Sequence, residues 1–170
     1  MNARLILRIL VCGVLLLATP PMTKSHAAES GEFKGAWIAN GSRAPFTFGN
    51  ERQVFTFKLS GHVNLQHTSL SKQKDYWAEC VGLADSVTGV VGRCVWKDLA
   101  GPEIYLTVQS DRLQQGGRVT GTIVGGTGHL AGISGEMSFN WSSVIFQTDA
   151  EGIANVSGQT MNLAGSYRIP

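Results

Sequence analysis

The chain is short of charge, of cysteine and of helix-forming segments, and each shortage narrows what it can be. Charged residues make up 15% of the 170. Arg4, Arg8 and Lys24 fall within the first 27 residues, so fourteen bases drop to eleven beyond that point, against twelve acids, a formal charge of −1. No basic stripe remains to hold nucleic acid or an anionic bilayer, so no nucleic-acid partner and no stable membrane insertion are expected. The three cysteines form no Cys-x-x-Cys, and His62, His67 and His129 show no paired spacing. A zinc site wants three or four recognisable ligands, so no metal is assigned. No serine stands in a nucleophile elbow and no acid pair has a readable spacing, so no catalytic residue is assigned either.

What is present begins with an export signal. Arg4 and Arg8 precede an uncharged apolar run from Ile9 to Ala18, Pro20 and Pro21 end it, and Ser25-His26-Ala27 places small residues where a signal peptidase reads. The run is short for a transmembrane helix. Residues 1–27 are therefore read as a signal peptide, cleaved after Ala27, and 28–170 as one domain, periplasmic or secreted.

Beyond residue 28 the chain is a series of strands. Runs alternate apolar and polar residues: Phe33 to Ala39, Val54 to Gln66, Asp75 to Ala84, Thr88 to Lys97, Pro102 to Ser110, Arg118 to Val124, Ser134 to Val144 and Gln159 to Arg168. Asn40-Gly41-Ser42 and Pro45 read as a break after the first. About eight strands at this spacing predict an all-β sandwich or barrel, and eight antiparallel strands can close on themselves, which removes exposed edges; the resemblance below adds to the preference for a barrel.

Gly126-Thr127-Gly128-His129-Leu130-Ala131 fits a dinucleotide fingerprint with Ala in the last place. That fingerprint needs a helix directly after the turn, because the helix N-terminus holds the pyrophosphate. Gly132, Ser134 and Gly135 follow instead, and the next run has period two. The stretch also lacks the Lys-Ser/Thr of a phosphate loop. Gly125, Gly126, Gly128, Gly132 and Gly135 are thus read as a structural glycine turn between two strands, and no cofactor is expected.

Cys80 and Cys94 remain after the signal, and a lone pair in an exported protein usually forms a disulfide. A hairpin centred on Val87 sets Cys80 opposite Cys94 with both side chains on one face.

The glycine stretch also carries a resemblance. Gly125-Gly126-Thr127-Gly128, then Leu130, Gly132, Ile133 and Gly135, preceded by Val119-Thr120-Gly121, is similar to the late strand pair of allene oxide cyclases and dirigent proteins. It resembles still more the small secreted bacterial proteins of that barrel type, as do Gly92 to Asp98 with Gly101 and the ending Gly165-Ser166-Tyr167. Gly35-Ala36-Trp37 is similar to lipocalins, another calycin-like barrel. The resemblance implies a closed eight-stranded antiparallel barrel with a mostly apolar lumen, and in the plant members often a trimer, which leaves a homo-oligomer open. The plant cyclases isomerise a reactive fatty-acid epoxide, and dirigent proteins steer radical coupling. Both shape an apolar cavity around a reactive substrate. None of their polar catalytic residues maps onto a position of this chain.

Parity supplies the lumen candidates. Tyr76, Cys80, Cys94 and Trp96 share one face, Met137, Phe139 and Trp141 another, and Met161, Leu163 and Tyr167 a third. Tyr76, Trp96, Phe139, Trp141 and Met161 are the residues expected to line a ligand cavity. His129 in the glycine turn reads as a solvated residue or a barrel-mouth one. Three functions follow: a non-catalytic binder of a small apolar molecule, a cofactor-free cyclase or isomerase, or an interaction protein with a filled barrel. The exported protein is predicted to begin at Ala28, which N-terminal sequencing of secreted or periplasmic material checks. An intact Met1 in a membrane fraction would contradict it.

Overall fold

Alternating side chains give each strand one apolar face, and those faces meet only if the sheet rolls up on itself. In the computed structural model they do: eight strands form one closed antiparallel barrel, each pairing with its neighbours in sequence and β8 returning to β1. The described residues are 28–49, 51–67 and 73–170. The expected signal peptide, residues 1–27, lies outside them. The strands are β1 (Glu29–Thr47), β2 (Gln53–His67), β3 (Gln73–Asp85), β4 (Gly89–Asp98), β5 (Glu103–Ser110), β6 (Gly117–Gly126), β7 (Ser134–Thr148) and β8 (Ala154–Ile169). One 3-10 turn, Gly128–Leu130, joins β6 to β7. The all-β barrel expected from the sequence is therefore the fold.

Several strands run beyond their expected limits, and two of these limits have a clear cause. β1 runs through Asn40-Gly41-Ser42 and Pro45 to Thr47. Its pairing with β8 ends at Arg43, so Pro45 stands where β1 has a ladder on one side only, a place where a missing N–H is tolerated. β8 starts at Ala154, five residues before Gln159, because Ala154, Val156 and Gly158 already alternate inward.

The glycine stretch divides between strand and turn. Gly125 and Gly126 end β6, where the β5–β6 register shifts by one residue, and Gly135 opens β7. Gly128 (φ 59°) and Gly132 (φ 80°) shape the connection itself, in the left-handed region that glycine enters without steric cost. A three-residue 3-10 turn and a strand follow the glycines, with no α-helix to receive a pyrophosphate.

The register shift with most consequence is in β8. Ser138 pairs with Ala164 but Asn140 pairs with Met161, so β8 carries one extra residue at Asn162. The β1–β8 ladder shifts in the same place, between Gly35 and Ile38. Asn162 adopts φ 56°, a conformation asparagine tolerates better than most residues. The bulge reverses inward and outward from there toward the start of β8. Leu163 and Thr160 are buried, while Met161 is 43% exposed on the outside. The Thr160 hydroxyl accepts the backbone N–H of Trp37 at 2.9 Å, satisfying a donor beside the interrupted ladder.

Cys80 pairs with Cys94 across β3–β4, and the two are bonded. The bond closes a sequence separation of 14 residues. Cys94→Ser is predicted to lower stability by about 2–4 kcal/mol, read by denaturant unfolding against the wild type. Two alkylatable thiols in exported wild-type protein would contradict the pairing.

Candidate functional site

Side-chain size decides where the lumen stays open. Val63, Leu106, Met137 and Leu163 are buried in the core with Cys80 and Cys94 and line neither cavity, which puts them at a waist between the two. On either side of this waist lies a cavity, and the two share no lining residue. The lumen is thus neither one chamber nor solid.

The first cavity, about 300 Å³, opens at the end where the four hairpins turn. Its depth is lined by large rings, Trp37, Phe57, Phe139 and Trp141, interspersed with the small side chains of Ala84, Val90, Val119 and Val156. The short side chains leave the volume. Trp37 and Trp141 rings lie 5.0 Å apart at 42°, and Phe139 meets Trp37 edge-on at 6.3 Å. Trp141 lies across Gly158 of the neighbouring strand. A β-carbon there would overlap the six-membered ring of the indole, so glycine is what lets Trp141 fold into the cavity. The Trp37 indole nitrogen is buried with no hydrogen-bond partner among the described residues, a cost of about 1–3 kcal/mol to the site.

Polar groups gather at the mouth of this cavity. Arg43, Gln53, Ser86, Gln114, Gln115 and Ser143 line it there. The Gln115 side-chain amide donates to the Ser143 carbonyl at 2.7 Å and accepts its N–H at 3.0 Å, extending the sheet past the last β6–β7 pair at Gly117 and Trp141. Asp85 fixes the adjoining β3–β4 turn. It accepts from Arg52 through both carboxylate oxygens, at 2.6–3.0 Å, and from the backbone N–H groups of Val87 and Thr88. Arg52 in turn lies over the Phe48 ring at 4.7 Å. The Arg52 hydrogen bonds, with those of the two backbone amides, hold the Asp85 carboxyl well below the usual carboxylate range despite its burial.

The second cavity, about 380 Å³, lies at the opposite end, under the β6–β7 connection. Phe33, Leu65, Trp96, Ile104 and Ile123 form its apolar depth. Tyr76, His67, Tyr167, Lys74, His129 and Glu29 supply polar groups. His67 and Tyr167 rings meet edge-on at 5.5 Å, and Tyr76 and Trp96 lie 6.1 Å apart. The Tyr167 hydroxyl donates to Glu29 at 2.9 Å, and Lys74 pairs with Asp98. Burial, with the Asp98 and Tyr167 charges nearby, pushes the Tyr76 phenol up to about 12. Burial and the Glu29 hydrogen bond do the same to Tyr167. The backbone N–H of Ala100 and the Lys74 ammonium hold the Asp98 carboxyl below its ordinary value.

No protein-family profile, no curated protein and no solved structure matches this chain.

The five residues expected in the lumen therefore separate. Phe139 and Trp141 face the first cavity, and Tyr76 and Trp96 the second. Met161 faces outward, because the Asn162 bulge reverses the parity that assigned it inward. Trp96 and Trp141, expected to report on one lumen, report on two cavities. His129 is exposed on the 3-10 turn and stands at the mouth of the second cavity. Among the described residues no cluster of three or more His, Cys, Asp or Glu could hold a metal ion. Sequence reading missed Trp37, whose parity with Ala39 and Phe33 was available, and Asp85–Arg52, whose signal was the Asp-Ser-Val-Thr-Gly turn alone.

The Asp85 network gives a pH prediction. The folded-state pKa lies below the unfolded one, so the stabilisation is complete above the ordinary carboxylate value of about 3.9 and is lost as pH falls through the folded value. Asp85→Asn should lower the melting temperature most at pH 7, with the gap to wild type closing as the pH is lowered below about 4. A gap that is constant from pH 7 to pH 2 would contradict it.

Proposed function

We propose that this is an exported, non-catalytic protein that binds one small apolar molecule in the cavity at the hairpin end. The observation that carries the reading is the lining: aromatic and aliphatic side chains make the depth, and polar groups stand only at the mouth. At about 300 Å³ the cavity falls at the lower limit of small-molecule sites, which span about 300–1,000 Å³ and are mostly apolar with few polar groups. The filled waist closes its floor, so a compact ring or short chain fits and a long acyl chain does not.

A cyclase of the allene oxide cyclase type would need a polar group set against the substrate in that depth. The residues there are Trp37, Leu59, Val108, Phe139 and their apolar neighbours, which favours binding over catalysis. The barrel resemblance is consistent with either. Export is supported by the N-terminal pattern and by the Cys80–Cys94 bond, which is compatible with an extracellular or periplasmic site. Among the described residues no helix is long and apolar enough to cross a membrane. The outer face of the barrel carries Lys34, Lys58, Glu79, Arg93, Arg118 and Glu136 among exposed apolar residues such as Ile38, Trp77, Val81 and Val91, and charges on that face count against lipid contact.

Burial of apolar area contributes about 25 cal/mol per Å², sufficient for micromolar binding after association costs. Titration with monoterpene hydrocarbons should shift tryptophan fluorescence with saturation. Trp141→Ala should weaken that binding about ten-fold or more while the barrel keeps its far-ultraviolet spectrum, because the ring forms one wall of the cavity. An absence of saturable binding by any compact apolar compound sinks the reading.

A further inference from the structure

The cavity at the termini end differs in chemistry from the first and stands apart from the reading above. We propose that it is a second binding site, for a small uncharged molecule, mostly apolar, whose carbonyl oxygen accepts a hydrogen bond from the Tyr76 hydroxyl.

Tyr76 projects inward because it alternates with Ala78 and Cys80 on β3, and it is 5% exposed. Gln73 and His129 are exposed at the edge of the cavity, and the more enclosed polar groups are already engaged. Tyr167 donates to Glu29, Lys74 holds Asp98, and His67 packs against Tyr167. The Tyr76 side chain lines the cavity, and no hydrogen bond joins its hydroxyl to a described residue. An acceptor brought in by a ligand gives that donor a partner in an apolar setting. Its high pKa keeps the phenol protonated, so it can donate throughout the neutral range.

The apolar depth asks for a hydrocarbon body. Phe33, Leu65, Ile104, Ile123 and Ile133 offer an occupant nothing to hydrogen-bond with their side chains, and Trp96 adds only its indole N–H, a second donor that an acceptor suits. Charge at this end argues against an anion. Glu29 lines the cavity, and its one lysine, Lys74, is committed to Asp98. A carboxylate would meet the Glu29 charge with no free ammonium to receive it. A cation has no such objection from the carboxylates, but it gives the Tyr76 donor no acceptor. A neutral carbonyl satisfies the donor and the walls together.

The four tryptophans make the two cavities distinguishable. Trp96 lines this one, Trp37 and Trp141 line the other, and Trp77 is on the outer surface. Proton–nitrogen correlation spectra of the indole N–H signals can follow titrations with acetophenone, ethylbenzene, benzoate and benzylamine. Acetophenone is expected to move the Trp96 signal and to bind there about three- to ten-fold more tightly than ethylbenzene, the gain from one hydrogen bond. Benzoate and benzylamine should bind more weakly than acetophenone. Tyr76→Phe should remove the ketone's advantage and leave ethylbenzene binding unchanged. Equal affinities of ketone and hydrocarbon at Trp96, tighter binding of either charged probe, an advantage that survives in Tyr76→Phe, or shifts confined to Trp37 and Trp141 would each overturn the proposal. Should the variant not fold, the wild-type comparison of the four probes decides alone. None of these outcomes touches binding at the first cavity, which Trp37 and Trp141 report separately.

Discussion

Closure of β8 onto β1 is the constraint on which everything else in the molecule depends. An open eight-stranded sheet of this length would leave two long unpaired edges and an apolar face in water. Closing it removes both problems and fixes the radius, since eight strands enclose room for side chains or one small ligand and no more. With the radius fixed, every opening inside must come from a small residue facing a large one. Ala84, Val90 and Val156, among the larger rings, leave room for the first cavity, and Val63, Leu106, Met137 and Leu163 line neither cavity. Closure also makes the two ladders of β8 answer to each other. An extra residue at Asn162 has to be absorbed by both neighbours, and both registers do shift at that point.

Much of this was legible in the sequence because its cause is local. Alternation within a run marks the buried face, so the strands, their antiparallel order and the inward Tyr76, Trp96, Phe139 and Trp141 could be read from parity. The Cys80–Cys94 pairing followed from a turn centred on Val87, which places one residue directly across from the other. The glycine stretch was legible through what came after it: more glycines and a period-two run leave no helix for a nucleotide. Met161 marks the limit of parity. Two residues from Leu163, it should share that face, and the bulge between them sends it outside. A lone asparagine in an alternating run gives little warning, since the same residue on a regular strand simply faces solvent.

The site itself was less legible, because each cavity is assembled from residues far apart in the chain. The second cavity brings His67, Tyr76, Tyr167, His129 and Glu29 together from four strands and a connection. No spacing in the sequence ties Glu29 to Tyr167, yet the two are hydrogen-bonded across the β1–β8 closure. Arg52 and Asp85 are 33 residues apart and meet only because β2 and β3 are antiparallel neighbours, with Val54 opposite Asp85. The division of the lumen was out of reach for a similar reason. Whether eight inward faces fill a barrel depends on which side chains share a level, and levels are set by the stagger of the whole sheet.

The waist divides the interior of the barrel. Cys80 lines the first cavity, and its bonded partner Cys94 belongs to the buried core, so the disulfide crosses at the level where the cavity ends. Leu106 pairs with Cys94 on one side, and Leu59 pairs with Cys80 on the other, so the bond sits within the packed layer. Widening that layer would mean moving β3 from β4 against a covalent link, or repacking side chains held at interior density. An occupant of one cavity therefore cannot extend into the other. The molecule has two short, chemically unlike chambers: Arg43 and the amides of Gln53, Gln114 and Gln115 stand at the edge of one, and Glu29, Tyr167 and His129 at the edge of the other.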